Sequence, residues 1–279
     1  MNKQNPAESK GSSSAAAIFA ALTIVISLII SIVIYAFIFG ADANFSDNPE
    51  NHKPVATSVD SVKHYFGVIH AGGPIVPLLM TVLFTVLIIS VERFITLNSA
   101  GGRGNTGAFV KKIKSALADN QVYAAIAECD NQKGSLANVV RAGLNKYKNV
   151  QGEASMDKEQ KVAAIQKELE EATALELPML SKNLSVISTC ASIGTLVGLI
   201  GTVLGMIRAF GALANAGAPD TTALATGISE ALINTAIGII ASCLAIIFYN
   251  MFSNKIDSMT YSMDEASFTI VQEFSASNK

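Results

Sequence analysis

Residues 222–254 read TALATGISEALINTAIGIIASCLAIIFYNMFSN, and Glu230 is their one charge. Ala231 to Asn254 carries none, and the nearest charge upstream is Asp220, beside Pro219. An apolar run this long is what a helix needs to cross about 30 Å of hydrocarbon. A carboxylate at that depth costs at least ~2.5 kcal/mol even on a forgiving insertion scale, so it is expected to have a job. The fold and the chemistry both turn on what Glu230 faces.

Three further stretches pass the threshold of about 18 residues for a spanning helix: Ala15 to Phe39, Pro74 to Val91 and Asn183 to Ile207. No polar faces break them, as a soluble helix would require. The sequence predicts an all-α, polytopic membrane protein with four transmembrane helices and a helical cytoplasmic domain. The first run is too long for a signal h-region of about 7–15 residues, so it reads as a retained helix.

Orientation follows the basic residues. Arg93, Arg103 and Lys182 lie near span ends in the long middle segment, whereas the loop 40–73 sets Lys53 and Lys63 against Asp42, Asp47, Glu50 and Asp60. The positive-inside rule puts the middle segment in the cytoplasm and, with four spans, both termini as well. The expected boundaries are a cytoplasmic tail over 1–14, spans over 15–39 and 74–91 flanking a periplasmic loop over 40–73, and a cytoplasmic helical domain over 92–182. Two spans over 183–210 and 222–252 flank a periplasmic loop over 211–221, and a cytoplasmic tail occupies 253–279. A net charge of −2 with no basic patch gives no sign of nucleic acid.

Cys190 and Cys243 fall in spans and Cys129 on the cytoplasmic side, so no disulfide is expected and the spacing fits no zinc motif. His52, His64 and His70 read as ordinary loop histidines; neither metal nor cofactor is expected. The absence of a nucleotide loop, a catalytic triad and HExxH leaves an enzyme no residues to work with.

In the middle segment, Gly101 to Gly104 predicts a break. Phe109, Ile113 and Leu117 mark one helix face, Val122, Ile126 and Cys129 a second helix, and Leu136, Val140, Leu144 and Tyr147 a third. Gln151 to Ser155 reads as a turn. A fourth helix, with Ile165, Leu169 and Ala172 on one face, has no evident stop before the third span. It is expected to run as one helix from about Asp157 to Phe210, ~80 Å at 1.5 Å per residue.

The third span carries two stripes. Ser188, Ser192, Thr195 and Thr202 form a hydroxyl stripe; Gly194, Gly198, Gly201 and Gly205 form a second, suited to close backbone packing in lipid. The fourth repeats the design, with Gly227, Ala231, Asn234, Gly238, Ala241 and Ala245 on one face and Thr235 and Ser242 beside it. Small residues and hydroxyls often only pack helices or bond their own carbonyls, but that leaves Glu230 unexplained. Two striped helices cannot enclose a hydrated path, so a symmetric ring is expected, with these spans inside. Either Glu230 titrates, or a partner inserted in the ring brings the missing acid.

Gly198-Leu199-Ile200-Gly201-Thr202-Val203-Leu204-Gly205-Met206-Ile207, followed by Ala209-Phe210, resembles the signature of the MotA/TolQ/ExbB proton-channel family. So does Ile228-Ser229-Glu230-Ala231-Leu232-Ile233-Asn234-Thr235-Ala236-Ile237-Gly238, with Tyr249-Asn250 closing the span, and Glu92-Arg93 ending the second. The resemblance covers about Pro74 to Ser253. Glu230 makes it closest to ExbB and TolQ, which usually have three spans; four are common in MotA, which generally lacks this Glu. Thr195 and Leu244 stand where the family often has proline.

The resemblance implies a pentamer around single-span ExbD/TolR-like helices whose aspartate carries the proton. Thr202, Glu230 and Thr235 become the proton-pathway residues, with Ser188, Ser192, Thr195, Asn234 and Ser242 as candidate pore-lining groups and Gly194, Gly198, Gly201, Gly205 and Gly238 as packing residues. It further implies an inner-membrane location and force delivered to a TonB-like or TolA-like periplasmic protein. A secondary transporter is the competing class, but no internal repeat supports it.

Overall fold

The computed structural model describes residues 7–45, 62–153, 155–214 and 221–277. Every long element is a helix: α1 (Ala7–Val33), α2 (Val62–His70), α3 (Val76–Ala100), α4 (Thr106–Ala118), α5 (Val122–Gln132), α6 (Gly134–Gln151), α7 (Lys158–Ser181), α8 (Leu184–Ala214) and α9 (Thr221–Ser277). Four stretches are long and apolar enough to cross a membrane: Ala20–Phe39, Gly73–Ala100, the apolar part of Lys158–Ala214 and the apolar part of Thr221–Ser277. The chain is therefore an all-α polytopic membrane protein. It divides into two compact units, Met1–Val91 with Asn183–Tyr249, and Glu92–Lys182 with Asn250–Lys279.

In the first unit, α1 buries Thr23, Ser27 and Ser31 at four-residue spacing. Small hydroxyl residues let helices approach, and Ser31 returns its proton to the Ser27 carbonyl at 2.7 Å. A π-helical turn, Ile34–Phe39, continues α1. Its last carbonyls are satisfied from the loop: Asn44 Nδ2 donates to Ile38 O at 2.7 Å and to Phe39 O at 3.1 Å. Tyr35 stacks on His70 with ring centroids 4.5 Å apart and donates to the His70 carbonyl at 3.1 Å, fastening α2 to this end of α1. The stretch read as a loop over 40–73 thus contains a helix. His52 lies outside the described residues.

The second unit follows the sequence periodicity closely. Phe109, Ile113 and Leu117 on α4 and Leu136, Val140, Leu144 and Tyr147 on α6 are buried. On α5 the buried face is Val122, Ala125 and Cys129, with Ile126 at its edge. Gly102 and Gly104, at φ +74 and +88, make the break after α3, a backbone region that costs glycine little. Gly143 lets Leu169 of α7 pack directly on the α6 backbone.

Three expectations need correction. The helix expected over Asp157 to Phe210 is two helices. α7 opens on an Asp157–Gln160 capping box and ends at Ser181; Lys182 then turns to ψ 138 and Asn183 to φ +61. Asparagine tolerates that left-handed backbone better than most residues, so one residue does what a glycine-rich stretch was sought for. Pro178 lies inside α7 without ending it. Residues read as a C-terminal tail over 253–279 continue α9 to Ser277, burying Ile256, Met259, Met263, Ala266, Ile270 and Phe274 at spacings of three and four. At the other end α1 begins at Ala7, inside the stretch read as a tail over 1–14.

Candidate functional site

The antiparallel pair α8 and the first half of α9 is joined through glycine. A Cβ at Gly194 would lie 2.6 Å from Ser242 Oγ, and one at Gly238 would lie 2.6 Å from Gly194 O and 3.0 Å from Gly198 Cα. At Gly205 it would meet Ala231 N at 2.8 Å, and at Gly201 it would collide with Asn234. The glycine stripe of α8 is therefore its buried face, with the backbones in near-direct contact.

Polar side chains bridge this seam in three rungs. Thr195 Oγ1 donates to Ser242 Oγ at 2.9 Å. Seven residues on, about 10 Å at 1.5 Å per residue, the Thr202 and Thr235 hydroxyls are in hydrogen-bond contact. Thr202 Oγ1 also lies 3.3 Å from Gly198 O and 3.5 Å from Ala231 O, while Thr235 Oγ1 lies 3.4 Å from Gly198 O. Each hydroxyl has one proton and a choice of acceptors, so the two can exchange donor and acceptor roles. The third rung is an ion pair: Arg208 Nη1 donates to Glu230 Oε1.

The elements place these groups differently. Glu230 is 8% exposed and Asn234 fully buried, on the same inward face of α9 as Gly227, Ala231 and Gly238. Thr202 and Thr235 sit at the edge of the seam, half-buried. Gly73, at φ +77, lies against the Glu230 carboxylate so closely that a Cβ there would collide with Oε1. Asn234 Nδ2 donates to the carbonyl of the neighbouring Gly72 at 2.8 Å. Ser188 and Ser192, read as continuing the hydroxyl stripe, are exposed on α8, outside the three rungs.

Arg208 is the residue that sequence reading missed. The signal was present. If Thr202 opposes Thr235 on antiparallel helices, a residue six further along α8 opposes one about five or six back on α9. That is Ser229 or Glu230, and the residue is the only basic one in α8.

Fold and rungs together define a class: a multi-pass helical membrane protein with a polar ladder between its last two candidate spans. Residues 131–265 match the MotA/TolQ/ExbB proton channel family, and over this region the chain belongs to it. It is 27% identical over 179 residues to the Tol-Pal system protein TolQ of Pseudomonas aeruginosa, covering 62% of this chain and 78% of that one. It is 38% identical over 84 residues to TolQ of Haemophilus influenzae, covering 30% and 37% of the two chains. With the biopolymer transport protein ExbB of Pseudomonas putida the identity is 33% over 99 residues, 36% of this chain and 30% of that one. In the last two cases the match spans well under half of the relative's length.

Proposed function

We propose that the chain is the ring-forming subunit of a proton-driven motor of the bacterial inner membrane, of ExbB/TolQ type. Five copies surround a single-span ExbD/TolR-like partner whose membrane aspartate carries the proton, and both termini are cytoplasmic. Proton flow is converted to force on a periplasmic energy-transducing protein, TonB-like for outer-membrane import. A TolA-like target in envelope constriction, or a flagellar or gliding stator role, uses the same machinery. The matches to TolQ keep the Tol-Pal reading beside the import reading.

The observation that carries this is the Thr202–Thr235 rung. Two hydroxyls that trade donor and acceptor roles suit a narrow hydrated path, and their position at the edge of the seam leaves them open to a helix from outside the subunit. A secondary transporter would instead call for discontinuous helices in repeated halves.

The test is reconstitution with the single-span partner in liposomes, following proton uptake under an imposed gradient, with native mass spectrometry giving the ring size. Uptake should require the partner. Thr202→Ala should keep most of it, because water replaces the hydroxyl, whereas Thr202→Leu should stop it. A stable monomer, or partner-independent uptake, would overturn the proposal. Impermeant thiol labelling in intact cells tests topology: a Cys at Tyr65, on α2, should react, and one at Asp119, after α4, should not.

A further inference from the structure

We propose that Arg208 is a positioning residue that holds Glu230 as the anionic half of a fixed charge pair, so that Glu230 shapes the α8–α9 seam and does not carry the transported proton. The assignment rests on the proton-driven reading above and deepens it.

Geometry argues first. Glu230 shares the packed face of α9 with Gly227, Ala231, Asn234 and Gly238, each of them buried. An acid on a helix arriving from outside the subunit meets the Thr202–Thr235 edge. It does not meet the carboxylate, which the Gly73 backbone covers. The cover is tight on both sides. Gly73 has the left-handed backbone that places it there, and Asn234 holds the adjacent Gly72 carbonyl from the same helix that carries Glu230.

Charge argues second. Arg208 is the only cation on α8, and its guanidinium reaches the Glu230 carboxylate directly. Together they are neutral, so a membrane-length helix pair can hold both. Protonating Glu230 at each turnover would leave Arg208 without its counterion at each turnover. Breaking a poorly solvated pair by removing one charge is much more costly than removing both. A carboxylate built to cycle through its neutral form would be poorly served by this neighbour. A carboxylate built to anchor α8 to α9 at the end of the ladder is well served by it. The mobile proton then belongs to an acid from the partner helix, moving past the hydroxyl rungs.

The experiment uses the full chain with its partner in liposomes and compares Glu230→Gln, Arg208→Gln, the double variant Arg208→Gln/Glu230→Gln, and Arg208→Lys. Ring size is read for each by native mass spectrometry. Each single neutralisation should lower proton uptake about tenfold or more. The double variant should recover to within about threefold of wild type, and Arg208→Lys should retain most activity. A double variant that assembles but is as inactive as Glu230→Gln would overturn the assignment, because the titrating group would then be Glu230 itself. So would a double variant that fails to assemble where Glu230→Gln assembles. A wild-type ring that conducts no protons with its partner instead overturns the motor reading. A conducting wild type with an inactive double variant overturns only the role given to Arg208.

Discussion

Asn234 Nδ2 donates a 2.8 Å hydrogen bond to the carbonyl oxygen of Gly72, tying the middle of α9 to the turn that precedes α3. The side chain is fully buried, so the bond has no competition from water. Asn234→Ala leaves the Gly72 carbonyl without that donor and should cost about 1–3 kcal/mol. Asn234→Asp should be worse: it also loses the donor, and it sets a second carboxylate one turn from Glu230, where like charges repel. Thermal unfolding in detergent checks the order. Equal stability of the Ala and Asp variants would contradict it.

Glycine substitutions separate seam from surface. At Gly238 the nearest atoms to a new Cβ are backbone, Gly194 O at 2.6 Å and Gly198 Cα at 3.0 Å, and backbone cannot swing aside. Gly238→Ala should force α8 and α9 apart and lower the melting temperature. At Gly211, also on α8, a Cβ would meet nothing within 4 Å. Gly211→Ala should be neutral or stabilise by up to about 1 kcal/mol through helix propensity. Equal effects at the two positions would mean that the glycine seam is not the packing contact.

Much of this was legible in the sequence for a simple reason. Spans are read from uninterrupted apolarity, and helix faces from recurrence every three or four residues, so the cores of α4, α6 and the glycine seam could be read from spacing alone. What escaped was set by single residues or by pairing. The stop between α7 and α8 depends on the backbone of Asn183, and asparagine elsewhere carries no such signal. The last part of α9 alternates apolar and polar residues without a long apolar run, so its buried Met259, Met263 and Phe274 looked like a tail. Arg208 acquires its meaning only when α8 and α9 are set in antiparallel register.

Arg93 ties the second unit together where α7 ends. It is 1% exposed, pairs with Glu92, and turns Nη1 toward the carbonyls of Met179 and Leu180 at 3.4 and 3.5 Å. Those carbonyls lie in the last turn of α7, where helical partners run out. Arg93→Ala should cost about 2 kcal/mol, the range of a charge-assisted hydrogen bond. Arg93→Lys should recover only part, since one ammonium cannot cover Glu92 and two carbonyls at once. Trypsin cleavage after Lys182 gives the readout: it should accelerate in Arg93→Ala and less in Arg93→Lys. Unchanged cleavage would remove Arg93 from this role.

Cys129 makes a chemical prediction. Burial on the inner face of α5 pushes its thiol up to about 12, with Arg141 opposing weakly. A free thiol titrates near ~8.5. Between those values the folded chain keeps its proton on sulfur while the unfolded chain has lost it. The unfolded state therefore binds fewer protons, and stability falls as pH rises through this window. The contribution is fully present below about pH 8.5 and is progressively lost toward pH 12. The thiolate is the reactive form, so Cys129 should resist iodoacetamide at pH 8 in the folded protein and react on denaturation. A Cys190→Ser/Cys243→Ser background isolates its signal. Rapid alkylation of Cys129 at pH 8, with the fold intact by circular dichroism, would show that the α5 face opens to solvent and that burial does not control the thiol.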